Sequence, residues 1–242
     1  MNSPPLATTA RLSLHCGPAL RSVIAQRLRA FALAAPALPA FHTAPEPATP
    51  LRRAAVCLAV IETGHGANLD GMPHHKDWNQ DAALLLTRRA GHMRRHSGQW
   101  ALPGGRMDEG ETPEQAALRE MQEEVHMQLD TSAIVGRLDD FVTRSGFQIT
   151  PVVVWAGAAQ DVKANPEEVA SLHRIPCSEF LRADGPMLSQ GPDPDRPVLK
   201  MPVGNNWIAA PTAALIYQFR EVCLLGRETR VGHFDQPAFA WK

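Results

Sequence analysis

Three glutamates, Glu120, Glu123 and Glu124, are spaced i, i+3 and i+4 in the segment GGRMDEGETPEQAALREMQEEVHM at 104–127. On a helix, that spacing puts the three carboxylates on one face. Ala117, Met121 and Val125 fall on an adjacent face that points to a core. Thr112-Pro113-Glu114-Gln115 reads as the helix start, with a Thr N-cap, Pro at the first position and Gln three after the cap. Two of the acids lie near the helix C-terminus, where the macrodipole disfavours negative charge. Arg119 alone is too little compensation. A hard divalent cation that takes clustered oxygen ligands, Mg2+ or Mn2+, is the expected counter-charge. The competing reading is a plain solvated acidic face. The Gly104-Gly105 turn in front and the position of Arg119 weigh against it.

Other elements must hold this segment in place. Apolar residues Leu20, Ile24, Leu28 and Phe31 recur at helical spacing and predict an amphipathic helix docked by its stripe. Residues 35–50 are rich in Ala and Pro and read as a linker or extended arm. Residues 54–61 and 82–87 read as strands, and 63–81 as a polar loop between them. Residues 99–102 form a short strand running into Pro103-Gly104-Gly105. Strands are expected at 134–142 and 147–155 around a turn at Arg144-Ser145-Gly146, and again at 169–175, followed by a helical turn at 178–181. Residues 184–197 read as loop, and 198–202 and 206–209 as weaker strands. The last helix spans 211–225, with Pro211 in its first turn and Gly226 ending it. The mixture predicts an α/β sandwich.

Composition sets outer limits. The chain has 242 residues, 44% hydrophobic and 20% charged, with a formal net charge of -1. No bulk field points to nucleic acid or an anionic membrane as partner. Cys16, Cys57, Cys177 and Cys223 lack metal-site or redox spacing, so buried thiols in a reducing, cytoplasmic setting are expected. No apolar run is long enough to span a bilayer. Residues 1–45 hold arginines but no acid, a faint likeness to a transit peptide; a surface helix followed by a linker is the preferred reading.

The acidic segment resembles the Nudix box, G-x5-E-x7-R-E-U-x-E-E-x-G-U, where U is bulky and apolar. Gly105, Glu111, Arg119, Glu120, Met121, Glu123, Glu124 and Met127 match, and His126 stands where the box has Gly. The resemblance implies a Nudix-type α/β/α sandwich with a mixed sheet, here at 51–242, preceded by the helix and linker of 1–50. It implies Glu120, Glu123 and Glu124 as metal ligands, with the Gly104 carbonyl as a further one. It gives Glu111 and Arg119 the work of bracing the loop and orienting the glutamates. The family Gly lets the chain leave the helix with positive φ; His at 126 should cost roughly 1 kcal/mol there or bend the exit differently.

Upstream, 85–105 is similar to the extra motif of coenzyme A diphosphatases, L-L-T-x2-[SA]-x3-R-x3-G-x3-F-P-G-G. Leu85, Leu86, Thr87, Ala90, Arg94, Gly98, Pro103, Gly104 and Gly105 match; Leu102 replaces the Phe. The stretch 145–153 also looks like that subfamily. Arg88, Arg89, Arg94 and Arg95 could pair with substrate phosphates. Arg94 and His96 are the preferred contacts because the motif includes them, with Arg89 and Gly105 beside them. The implied activity is metal-assisted hydrolysis of CoA or a CoA derivative to 3′,5′-ADP and a phosphopantetheine, with a small nucleotide-type substrate as the partner. Glu120, or Glu167 or Glu168 on a distant loop, could take the proton from water. Two alternatives stay open: another nucleoside diphosphate derivative such as ADP-ribose or NADH, and a Nudix domain that binds without turnover. The oligomeric state is open.

Overall fold

The computed structural model describes residues 12–35, 50–91, 98–159, 161–191, 193 and 195–237. The helix expected near the N-terminus is α1 (Pro18–Ala30), which buries Leu20, Ile24 and Leu28. Most of the expected linker lies outside the described residues. A long strand β1 (Arg52–Gly66) follows, then β2 (His74–Arg89), β3 (Trp100–Ala101) and β4 (Gly104–Arg106). Helix α2 (Pro113–Val125) carries the acidic segment. After it come β5 (Ile134–Arg137), β6 (Phe141–Val142), β7 (Phe147–Gly157), β8 (Val169–Pro176) and a helical turn α3 (Cys177–Phe180). Then come β9 (Met187–Ser189), β10 (Val198–Val203), β11 (Asn206–Ala209) and α4 (Thr212–Phe219).

Eight strands form one mixed sheet, ordered β3-β2-β1-β7-β5, with β4 on β1, β6 on β7 and β8 on β2. Among the described strands of this sheet, only β1 and β7 run parallel, from Arg52↔Phe147 onward. β1 shares its other edge between two partners: β4 at Ala54–Val56, and β2 from Val60 outward. β9, β10 and β11 make a separate three-stranded sheet.

The pleat of β1 sorts its side chains to two cores. Cys57, Ala59 and Ile61 meet Ala117, Met121 and Val125 of α2. Leu58 and Val60 face the opposite way, into a larger core that includes α1 and α4. Helices thus cover both faces, as an α/β/α sandwich requires. Burying Met121 alone is worth about 1.5–3 kcal/mol.

Four readings of the sequence need correction. Residues 63–81 are not one loop: β1 continues to Gly66 and β2 begins at His74, with bulges near Gly64. This ribbon projects with mixed exposure on both faces, so it lacks the apolar alternation that marks a strand. The strand at 134–142 is broken at Asp139. That side chain accepts hydrogen bonds from Ala34 N–H, Gln218 and Arg230, and the partners come from distant parts of the chain. The 184–197 segment contains β9, which pairs with β10. The last helix widens into a π-helical turn at Arg220–Leu225, and Gly226 ends it at φ 69°.

Candidate functional site

Helix α2 starts as its sequence predicts. The Thr112 hydroxyl accepts from Gln115 N–H, and the Gln115 side chain accepts from Thr112 N–H. At the other end His126 adopts φ 54°, ψ 29°, the left-handed exit that glycine would take, and its Nδ1 lies 3.1 Å from the Lys163 carbonyl oxygen. The N–H groups of Lys163 and Asn165 donate to the carbonyls of Val125 (3.2 Å) and Glu124 (2.9 Å). These bonds satisfy the helix end and tie the 163–168 loop to it.

Arg119 is the hub of the acidic segment. Its Nε and Nη2 donate to Glu111 at 3.0 and 3.1 Å, and Nη1 donates to Glu120 and to Glu123, both at 2.9 Å. Nη2 also donates to the Arg106 carbonyl at 2.9 Å, which fixes the strand end beside the loop. Hydrogen bonds from Arg119 hold the Glu111 carboxyl below the usual range, and Glu111 in turn raises Arg119 further. The structure therefore brings Glu111, Arg119, Glu120 and Glu123 together through a single guanidinium.

Glu124 is left out of that arrangement. It is 4% exposed, and its Oε2 has a long 3.4 Å bond from Gly104 N–H. Burial first, then the nearby Glu120, push its pKa up to about 8; Arg89 pulls the other way, and Glu168 adds a smaller push. Burial also raises Glu120, with Arg119 opposing it and Glu123 and Glu168 adding to it. Glu168 is thus close enough to act on both buried carboxylates. Glu167 is exposed, and its backbone N–H donates to Asn165 Oδ1.

The Gly-Gly loop lies between these acids and a cavity. A Cβ on Gly105 would come 2.3 Å from Glu120 Oε1, so the missing side chain is what lets that carboxylate sit against the strand. A Cβ on Gly104 would meet the Ala55 carbonyl oxygen at 2.4 Å. Alternation along β4 then turns Arg106 to the face away from α2, the face of Ala54, its partner on β1. There a cavity of about 500 Å³ is floored by Ala54, Val56, Phe147 and Ile149, and is bordered by Gly104 and Gly105. Arg89 lines it too, and its Nε is buried without a hydrogen-bond partner among the described residues.

Among the described residues, no three His, Cys, Asp or Glu side chains already converge as a metal cage. The donor set still fits a hard dication. Glu120 and Glu124 are buried oxygen donors whose charge lacks full compensation, and Arg119 holds the other acids in reach. Of the phosphate-contact candidates, Arg89 and Gly105 border the cavity, whereas Arg94 and His96 lie outside the described residues. Ser145, at the start of the 145–153 stretch, lines the cavity too, as do Trp100, Thr143, Thr212 and Gln236, which the sequence does not single out. They come from four separate segments, and no local pattern joins them.

The NUDIX domain profile matches residues 77–198, half of the chain. The chain belongs to the Nudix family. Two curated relatives are similar over its central part. The "Uncharacterized Nudix hydrolase NudL" of Yersinia enterocolitica is 42% identical over 103 residues, covering 42% of this chain and 53% of the relative. Its counterpart in Yersinia pestis is 41% identical over 102 residues, covering 42% and 51%. The chain spans about half the length of the curated relatives it matches. Among solved structures, the Nudix domain of Shewanella oneidensis NrtR, complexed with ADP ribose, aligns at 20% identity with a TM-score of 0.43, over 76% of this chain and 98% of that one. No helix among the described residues is long and apolar enough to cross a membrane.

Proposed function

We propose that this Nudix protein hydrolyses a pyrophosphate linkage in a nucleoside diphosphate derivative with a divalent metal ion, and that CoA or a CoA derivative is the substrate. The observation that carries the hydrolase reading is the buried, under-compensated Glu124 beside Gly104, on the loop that borders the cavity. The CoA reading rests on the residues of the 85–105 motif.

Glu120, Glu123 and Glu124, with the Gly104 carbonyl, would hold the Mg2+ or Mn2+. When bound, the ion supplies charge neutralisation for the diphosphate and a lowered pKa for water. Arg119, braced by Glu111, orients Glu120 and Glu123. Arg89, electrostatically coupled to Glu124 and exposed to the cavity, is placed to pair with a phosphate at the boundary between the two. Glu168 is favoured over Glu167 as the residue that takes the proton from water, since it acts on both buried carboxylates. The apolar cavity floor suits a nucleoside.

The test is turnover of a panel in Mg2+ or Mn2+: CoA, acyl-CoA, ADP-ribose, NADH and nucleoside triphosphates. Release of 3′,5′-ADP from CoA in preference to other products is expected. Turnover of another member alone removes the CoA assignment. Silence across the panel with tight ligand binding leaves a binding domain.

A further inference from the structure

We propose that the Phe147 end of the cavity holds a second anion site, built from Arg52 and Arg106, which takes a phosphomonoester on the nucleoside part of the substrate. This deepens the proposed function and rests on it.

Strand pairing builds the site. Arg52 opens β1 directly opposite Phe147 on β7, and Arg106 closes β4 opposite Ala54 on β1. Paired residues share a face of the sheet, and so do residues two apart, so Arg52, Ala54, Arg106 and Phe147 all face the cavity side. The Arg52 guanidinium carbon lies 3.9 Å from the Phe147 ring centre and that of Arg106 lies 5.5 Å from the same centre. Their separation cannot exceed the sum of these two lengths. Arg52 is held further by a 2.5 Å bond to the Ser145 carbonyl, and Ser145 also lines the cavity. Arg106 has no acidic partner among the described residues.

Two guanidinium groups on one phenyl ring are oriented by it, so less order is lost when both grip one anion. Both arginines are exposed, so their charges remain solvated until a ligand arrives. The scissile diphosphate belongs elsewhere. The Gly105 Cβ direction runs into Glu120, so the cleaving carboxylates sit across the strand from the Arg106 side chain. A ligand spanning the cavity would meet Arg89 and the Gly-Gly loop with its diphosphate, and Arg52 and Arg106 with a separate phosphate. In CoA that group is the ribose 3′-phosphate.

The experiment uses the full chain and two variants, Arg106→Gln and Arg52→Gln. It reads kcat/KM for CoA, which carries that phosphate, against dephospho-CoA, which lacks it, and the Kd of 3′,5′-ADP against 5′-AMP. The wild type is expected to favour the doubly phosphorylated member of each pair. Each variant should lower both ratios about tenfold, the effect of losing one charge-assisted contact. Unchanged ratios in both variants, or a wild type with no preference in either pair, would overturn the anion site. If neither CoA nor dephospho-CoA is cleaved, but the preference for 3′,5′-ADP exists and falls in the variants, the CoA reading fails and the anion site stands.

Discussion

Gly104 and Gly105 are neighbours whose replacement by alanine should have opposite consequences. In Gly105→Ala the new methyl would fall 2.3 Å from Glu120 Oε1 and 2.8 Å from its Cδ. A carbon–oxygen contact relaxes at about 3.3 Å, slightly inside the carbon–carbon optimum, so the carboxylate must retreat by about 1 Å. The obstacle is the far end of a side chain, and the backbone at 105 lies in a strand, so the fold can absorb the change. Stability should move by less than about 1 kcal/mol, since alanine also restricts the unfolded chain. Activity should not be spared. A displacement of about 1 Å in a group that positions the reaction can cost about 100-fold in rate. In Gly104→Ala the methyl would strike the Ala55 carbonyl oxygen at 2.4 Å and the Val56 Cα at 2.6 Å, and neither can swing aside. That variant should lose about 3 kcal/mol, the upper end for overpacking. Urea unfolding and metal-dependent kcat on both proteins test the pair. A Gly105→Ala enzyme with wild-type kcat would refute the claim that Glu120 must lie against this strand. One that unfolds like Gly104→Ala would refute the claim that the clash is absorbed by the side chain.

Two further outcomes follow from buried charges. Glu124 has a folded pKa of about 8 against an ordinary carboxylate value when unfolded, so the native state holds its proton more tightly. Stability without metal is then full at low pH and lost as pH rises toward 8, by up to about 4 kcal/mol. Thermal melting in a chelator should show this decline between pH 5.5 and pH 8.5, and Glu124→Gln should flatten it. Mg2+ should raise the wild-type midpoint at pH 8.5 and leave that of the variant nearly unchanged; equal shifts would count against Glu124 as a ligand. The second outcome concerns Asp235, which is 1% exposed and accepts two bonds from Arg144, at 2.7 and 2.6 Å. Burial raises its pKa, but Arg144 and the Gln236 N–H together bring it below the usual value. Its stabilisation is therefore present above the unfolded pKa and lost as pH falls through the folded one. Asp235→Ala removes the buried carboxylate that takes two bonds from Arg144 and should cost about 3–5 kcal/mol, measured by denaturant midpoint at neutral pH. It should also loosen the cavity wall, because Gln236 accepts from Arg144 N–H and both Thr143 and Gln236 line the cavity.

The acidic helix was legible in the chain itself because its information is local. Thr112, Pro113 and Gln115 mark the start, and the spacing of Ala117, Met121 and Val125 marks the buried face. The position of Glu120, Glu123 and Glu124 follows from helical period alone. His126 in the left-handed exit was one of two outcomes allowed by its residue type, and φ 54° decides between them. The long β1–β2 ribbon was misread because both its faces are partly wet, so periodicity had nothing to register. Asp139 broke a strand through partners more than 70 residues away.

The sequence by itself determined which carboxylates share a helix and that they need a positive counterpart. It did not determine which carboxylate Arg119 would leave out. Tertiary structure decided that, by closing Arg119 on Glu111, Glu120 and Glu123 and burying Glu124 against Gly104. The cavity, too, is a product of tertiary structure, drawing Phe147, Trp100, Thr212 and Gln236 from distant segments. Helix spacing is set by bonds four residues apart, whereas a cavity wall is set by strand order, register and the pleat, which depend on pairing across the whole chain.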